Sequence, residues 1–180
     1  MKLTALLLAA ALLVAPVSTA PAHASETSAG GEICMFQAPT GAERLGHHWG
    51  HVGWAYRWAN GNKWDFGATE RAGDVWNANG TFSQMLDRFR IPRSATGHQY
   101  YRYYKCGYTT LALQSAAFRM RAQLDTEDYH VRYNNCLTRS LMIFKAYDDN
   151  GELDDLGDGS DTSPNWFFDT MQGFGDRHDL

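Results

Sequence analysis

Two runs rich in aromatic and β-favouring residues, Val52 to Trp58 and Lys63 to Thr69, flank Ala59-Asn60-Gly61-Asn62. Asn-Gly between such runs is the strongest short signal for a β-hairpin, because both residues tolerate the positive φ of a two-residue turn. With Asn60 and Gly61 as the loop, the positions of paired residues sum to 121. His51 then faces Glu70, and Tyr56 faces Asp65. Side chains alternate along a strand, so His51, Gly53 and Ala55 share a face with Glu70, Ala68 and Phe66. Asp65 falls on the other face. A slip of one residue would reverse every one of these assignments.

The rest of the chain reads as strands and helices around this hairpin. Glu32 to Gln37 is strand-like and ends at Pro39 and Gly41, and Gln99 to Cys106 is a tyrosine-rich strand. Thr81 to Arg90 reads as a helix. Thr81 and Gln84 form a capping box, and Phe82, Met85, Leu86 and Phe89 make an apolar stripe that Pro92 limits. Thr110 to Leu124 and Leu137 to Tyr147 read as further helices. Thr162-Ser163-Pro164 opens a short last one, with proline at a tolerated early position. Asp148 to Asp161 is an acidic, glycine-rich loop. Its glycines do not place acidic ligands at EF-hand spacing, so a solvated loop is expected rather than a calcium site.

The first 24 residues read as a secretory signal peptide. Lys2 is followed by an apolar run from Leu3 to Val14, and Ala22-His23-Ala24 is a small-x-small cleavage signal. Residues 25–180 are expected to form one domain, with Ser25 to Gly31 as a loose tail. The run is short for a membrane span. The whole chain carries a formal charge of −4, and losing Lys2 leaves about −5. That excludes the basic face of a nucleic-acid binder. The expectation is a secreted protein, extracellular or cell-wall associated, without an integral membrane segment in the mature chain.

An exported chain meets an oxidising compartment, and this one has three cysteines, Cys34, Cys106 and Cys136. One thiol is left without an intramolecular partner. Sequence alone leaves three pairings open, and Cys34 with Cys106 is the one expected, because both lie in apolar or aromatic strand-like segments. Cys136 stands where a polar stretch turns into the helix beginning at Leu137, with Asn135 as a natural N-cap. Unpaired N–H groups and the helix dipole favour thiolate there, so Cys136 is the candidate nucleophile.

A cysteine nucleophile needs an imidazole to take its proton. His51, in Trp49-Gly50-His51-Val52-Gly53-Trp54, has small neighbours that leave room for a facing thiol. Glu70 would hold the ring in its productive tautomer, with Asp65 in reserve and His98 as a weaker candidate. His47, His48 and His51 invite a metal, but nearby glycines break a helix and no HExxH pattern is present, so no metal or organic cofactor is expected. Trp49, Trp54, Trp58, Trp64 and Trp76 crowd the hairpin. Most are expected in the core, and those beside an open face, Trp49 and Trp54 first, would contact substrate.

These residues resemble the circularly permuted papain-like enzymes, the group that includes lecithin:retinol acyltransferase-like proteins. There a strand histidine comes first and a helix-start cysteine late, as His51 precedes Cys136. Gly50-His51 and Asn135-Cys136-Leu137-Thr138-Arg139 look closest to the periplasmic domain of the lipoprotein intramolecular transacylase family. The resemblance implies an α+β fold, an antiparallel sheet packed against helices. It also implies Cys136 as nucleophile and His51 as base. Asn135 would shape the helix start, and Asn135 and Arg139 are carried as substrate-binding candidates. The transacylases carry transmembrane helices after this domain and this chain shows none. A thiol hydrolase or acyltransferase acting through a thioester on cell-wall amides is therefore the first expectation. A lipid or lipoprotein acyl hydrolase or transferase is second, and a catalytically silent secreted binding domain third.

Overall fold

The computed structural model describes residues 27–44, 46–59, 61–71, 74–91 and 101–180. The signal segment 1–24, Pro92 and His98 lie outside the described residues. Among the described residues the fold is α+β, with a six-stranded antiparallel sheet and four α-helices. The sheet comprises β1 (Thr27–Ala38), β4 (His51–Arg57), β5 (Lys63–Arg71), β6 (Asp74–Thr81), β7 (Tyr103–Leu113) and β8 (His178–Asp179), in the order β6-β5-β4-β1-β7-β8. A separate two-stranded ribbon joins β2 (Glu43–Arg44) to β3 (His47–His48). The helices are α1 (Phe82–Arg90), α2 (Gln114–Leu124), α3 (Cys136–Tyr147) and α4 (Pro164–Thr170).

The hairpin register is the one that Asn60-Gly61 demands: Trp54 pairs with Gly67, Tyr56 with Asp65 and Arg57 with Trp64. Period-two alternation then divides the core between the two faces of the sheet. Ile33, Met35, Val52, Trp54 and Tyr56 pack with Leu137, Leu141 and Phe144 of α3. Cys34, Phe36, Ala55 and Phe66 pack with Met85 and Phe89 of α1, and the Phe36 and Phe89 rings stack at 3.7 Å. Gly53 makes this approach possible, because a Cβ there would lie 2.7 Å from the Phe89 ring. The Thr81–Gln84 capping box forms as expected and opens α1.

Three expectations are corrected. Thr27 to Gly31 is not a loose tail, because β1 starts at Thr27 and pairs with β7 as far as Thr27 opposite Leu113. The same pairing draws Thr110–Leu113 into β7, so α2 begins only at Gln114. Ladder hydrogen bonds to β1 outweigh the weak helical preference of four residues. β6 was not expected at all. Asn77, Asn79 and Gly80 read as turn formers, yet residues 74–81 pair with β5 along its length.

Cys34 and Cys106 stand opposite one another on β1 and β7 and form the expected disulfide. Their sequence separation is 72, so the bond closes a long loop of the unfolded chain. Replacing both by alanine should lower unfolding free energy by about 2–5 kcal/mol. Urea melts of the oxidised protein against the double variant measure this. No helix of the described residues is long and apolar enough to cross a membrane.

Candidate functional site

The α3 start is built by Asn135. Its Oδ1 accepts the backbone N–H groups of Leu137 (2.8 Å) and Thr138 (3.1 Å). Its own N–H donates to Thr138 Oγ1 at 2.8 Å, and its Nδ2 donates to Val131 O at 2.7 Å. The N–H of Cys136 is left over and points at the Tyr129 hydroxyl, which accepts it. Asn135 therefore acts as the cap that fixes the cysteine.

The Cys136 sulfur meets β4 at the backbone N–H of Val52, the residue after His51. The ladder explains why that N–H is available. Gln37, opposite Val52, gives its carbonyl to Arg102 of the β7 side, so Val52 turns its N–H towards β5. Pairing between β4 and β5 has already ended at Trp54 and Gly67. The same opening leaves His51 and Glu70 facing each other without a ladder between them. His51 Nε2 is 3.3 Å from Glu70 Oε2. Trp76 Nε1 donates to Glu70 Oε1 at 2.7 Å, and the Tyr101 hydroxyl donates to the same oxygen at 3.4 Å. Among the described residues His51 Nε2 makes no hydrogen bond, so this approach places the fixed carboxylate beside the ring and leaves Nδ1 as the nitrogen turned from Glu70.

The sulfur and the imidazole thus stand at the same end of β4, the sulfur packed with Val52 on the α3 side and the imidazole against Tyr101 on the α1 side, and Glu70 is near enough for its charge to act on the thiol. No hydrogen bond joins Sγ to the ring in this resting arrangement. Burial pushes the Cys136 thiol up from its ordinary value to about 11, the Val52 N–H opposes this, and the Glu70 charge adds to it. Burial holds the His51 imidazole down at about 3. The expected resting thiolate is therefore corrected. Desolvation outweighs the helix N-terminus, and both groups rest neutral.

A pH prediction follows. His51 has a folded value below its unfolded 6.5, so its contribution is complete above pH 6.5 and is lost as pH falls towards 3. Cys136 has a folded value above 9.0, so its contribution is complete below pH 9 and is lost as pH rises towards 11. Stability should plateau between these limits and fall on each side by at most about 1.4 kcal/mol per pH unit. Melting curves against pH check this. His51→Gln should remove the part of the acid limb that begins at pH 6.5, and Cys136→Ala the part of the alkaline limb that begins at pH 9, leaving above pH 10 the limb that the buried Tyr129 and Tyr147 hydroxyls contribute.

A cleft of about 940 Å³ reaches Cys136. Trp49, His48, Tyr129, Val131 and Pro164 line it, with Arg132 and Asp161 paired at 3.0 Å on its rim. Trp49 is 43% exposed and contributes to the wall, as expected of a substrate contact. Trp54 does not. It is buried under α3 and stacks on Tyr56 at 5.8 Å, whereas Trp49 stands before β4 begins at His51. Arg139 is buried too. Its guanidinium donates to Asn134 Oδ1 (2.8 Å) and Glu127 O (2.7 Å), bracing the loop before α3 rather than facing the cleft. Asp65 interacts with Tyr56 and Trp58 on the opposite face from Glu70. His47 and His48 line the cleft from the β3 ribbon. Tyr129 is the residue that sequence reasoning missed. It lies seven residues before the cysteine in an irregular stretch, where no periodicity singles it out. Compared with known proteins, the chain matches no family model, no curated protein and no solved structure.

Proposed function

We propose that this chain is a secreted thiol-dependent hydrolase or acyltransferase of permuted papain-like type, acting through a thioester on amide bonds, with cell-wall peptides as its substrates. The observation that carries the reading is the convergence at one end of β4. A cysteine at a capped helix start takes the N–H of the residue beside a histidine whose far nitrogen lies 3.3 Å from a buried carboxylate. Cys136 Sγ attacks the amide carbonyl carbon, and its proton passes to His51 Nδ1. Because both groups rest neutral, proton transfer accompanies attack instead of preceding it. The Tyr129 hydroxyl, which accepts the Cys136 N–H and keeps its own proton to give, supplies a donor to the developing oxyanion. His51 then protonates the departing amine, leaving a thioester. Water, or an amine or alcohol, attacks the thioester carbonyl with His51 as base, which restores the thiol and releases acid or transferred product.

The cleft's lining is mainly apolar, with Trp49, Val131 and Pro164, and carries the polar groups of Arg132, Asp161, Ser160 and Thr162 beside them. Those polar groups offer a peptide's amides partners that a long acyl chain would not use. The neutral, buried thiol favours a second reading, a binding domain in which the same cleft holds a ligand without chemistry. Incubation with digested cell wall and, separately, with acylated peptides, followed by rapid acid quench and intact mass measurement, tests both. An adduct on Cys136 from the cell-wall amides is expected. An adduct from acylated peptides alone would move the substrate to lipids, and no adduct from either would favour the binder.

A further inference from the structure

We infer that Asn165 is a positioning residue for the site, holding the segment that delivers Trp49 to the cleft and His51 to the head of β4. The inference rests on the reading of His51 as the base. Asn165 lies in the first turn of α4, remote in sequence from every residue it fixes. Its Nδ2 donates to the carbonyls of Pro39 (2.9 Å) and His48 (3.2 Å). Its Oδ1 accepts from the buried Gln37 Nε2 at 3.0 Å, and its backbone N–H donates to Trp49 O at 3.1 Å. One residue thus ties the end of β1 to two successive carbonyls immediately before Gly50 and His51. Gly50 completes the fit. It has φ +84°, and a Cβ there would overlap the Asn165 amide. Neighbouring hydrogen bonds, Trp49 N to Ala42 O (3.3 Å) and Gly50 N to Gly41 O (2.9 Å), fasten the same segment from its other side.

This clamp does more than close a loop. The carbonyls it takes belong to residues 48 and 49, so releasing them lets the chain rotate just before the residue that must face Glu70. Positioning to within fractions of an ångström decides proton-transfer efficiency, whereas a loop held only for stability would tolerate such a shift.

The test uses the rate of Cys136 alkylation by iodoacetamide across pH, which needs no knowledge of the substrate. His51→Gln sets the baseline and should slow alkylation near pH 7 about 10-fold. Asn165→Asp keeps the acceptor for Gln37 but removes both side-chain donors. It should bring the pH profile most of the way to that of His51→Gln while near-ultraviolet circular dichroism stays native. Gln37→Glu provides the second arm, because a carboxylate opposite Oδ1 turns the Asn165 amide over and draws Nδ2 away from Pro39 and His48. It should reproduce the Asn165→Asp profile, and it decides the matter if Asn165→Asp fails to fold. A profile that depends on His51 but is unmoved by the folded variants, with only the melting temperature lowered, overturns the inference alone. A wild-type profile indifferent to His51→Gln overturns both the base assignment and the inference drawn from it.

Discussion

Cys136→Ala should abolish thioester formation and lower amide turnover by about a thousandfold or more, the scale on which removing a covalent nucleophile acts. The effect should be chemical rather than structural. Cys136 is only 4% exposed, but its sulfur is a small part of the core that Leu137, Leu141 and Phe144 form beneath the sheet. Alanine suits the first helical turn, and the Asn135 cap works through Leu137 and Thr138 and does not use the thiol. A melting temperature close to that of the parent, together with lost turnover, is the expected pair of results. Persistence of turnover in the variant would refute the thioester route, whatever the substrate.

The second large effect belongs to His51. His51→Gln should reduce turnover by about 10²- to 10⁴-fold, the usual worth of a positioned base. Glutamine preserves volume and polarity, so Glu70 keeps Trp76 and Tyr101 as partners and the cavity left behind is small. The loss should fall on kcat with little change in KM, because His51 is buried and is not among the residues that line the cleft. Steady-state kinetics on the substrate found by adduct trapping measures the split. A change in KM alone would assign His51 to binding.

The site was legible where local chemistry fixes geometry. Asn-Gly dictated a register, and that register carried His51 to Glu70 and sent Asp65 to the far side of the sheet. Asn135 read as an N-cap because its side chain satisfies N–H groups two and three residues away, an interaction contained in a few residues of sequence. Local chemistry was also misleading in places. Arg139 follows the cysteine by one turn, and adjacency suggested a substrate contact, yet the loop at 127–134 claims its guanidinium. Trp54 and Trp49 are five residues apart in the same aromatic run, and only the packing of α3 over β4 separates a core ring from a cleft wall. β6 was illegible because its asparagines and glycine favour turns, and an edge strand forms there through its partner's hydrogen bonds.

The amino-acid order alone determined the hairpin, the helix caps and the presence of one thiol left over from pairing, because each follows from interactions between near neighbours or from counting. Only the tertiary structure decided the pairing of Cys34 with Cys106, the burial of the remaining thiol, the place of Tyr129 beside it and the hydrogen bonds gathered at Asn165. Those depend on how much water is excluded and on which distant backbone groups meet, and burial and long-range contact exist only once the sheet and helices have packed.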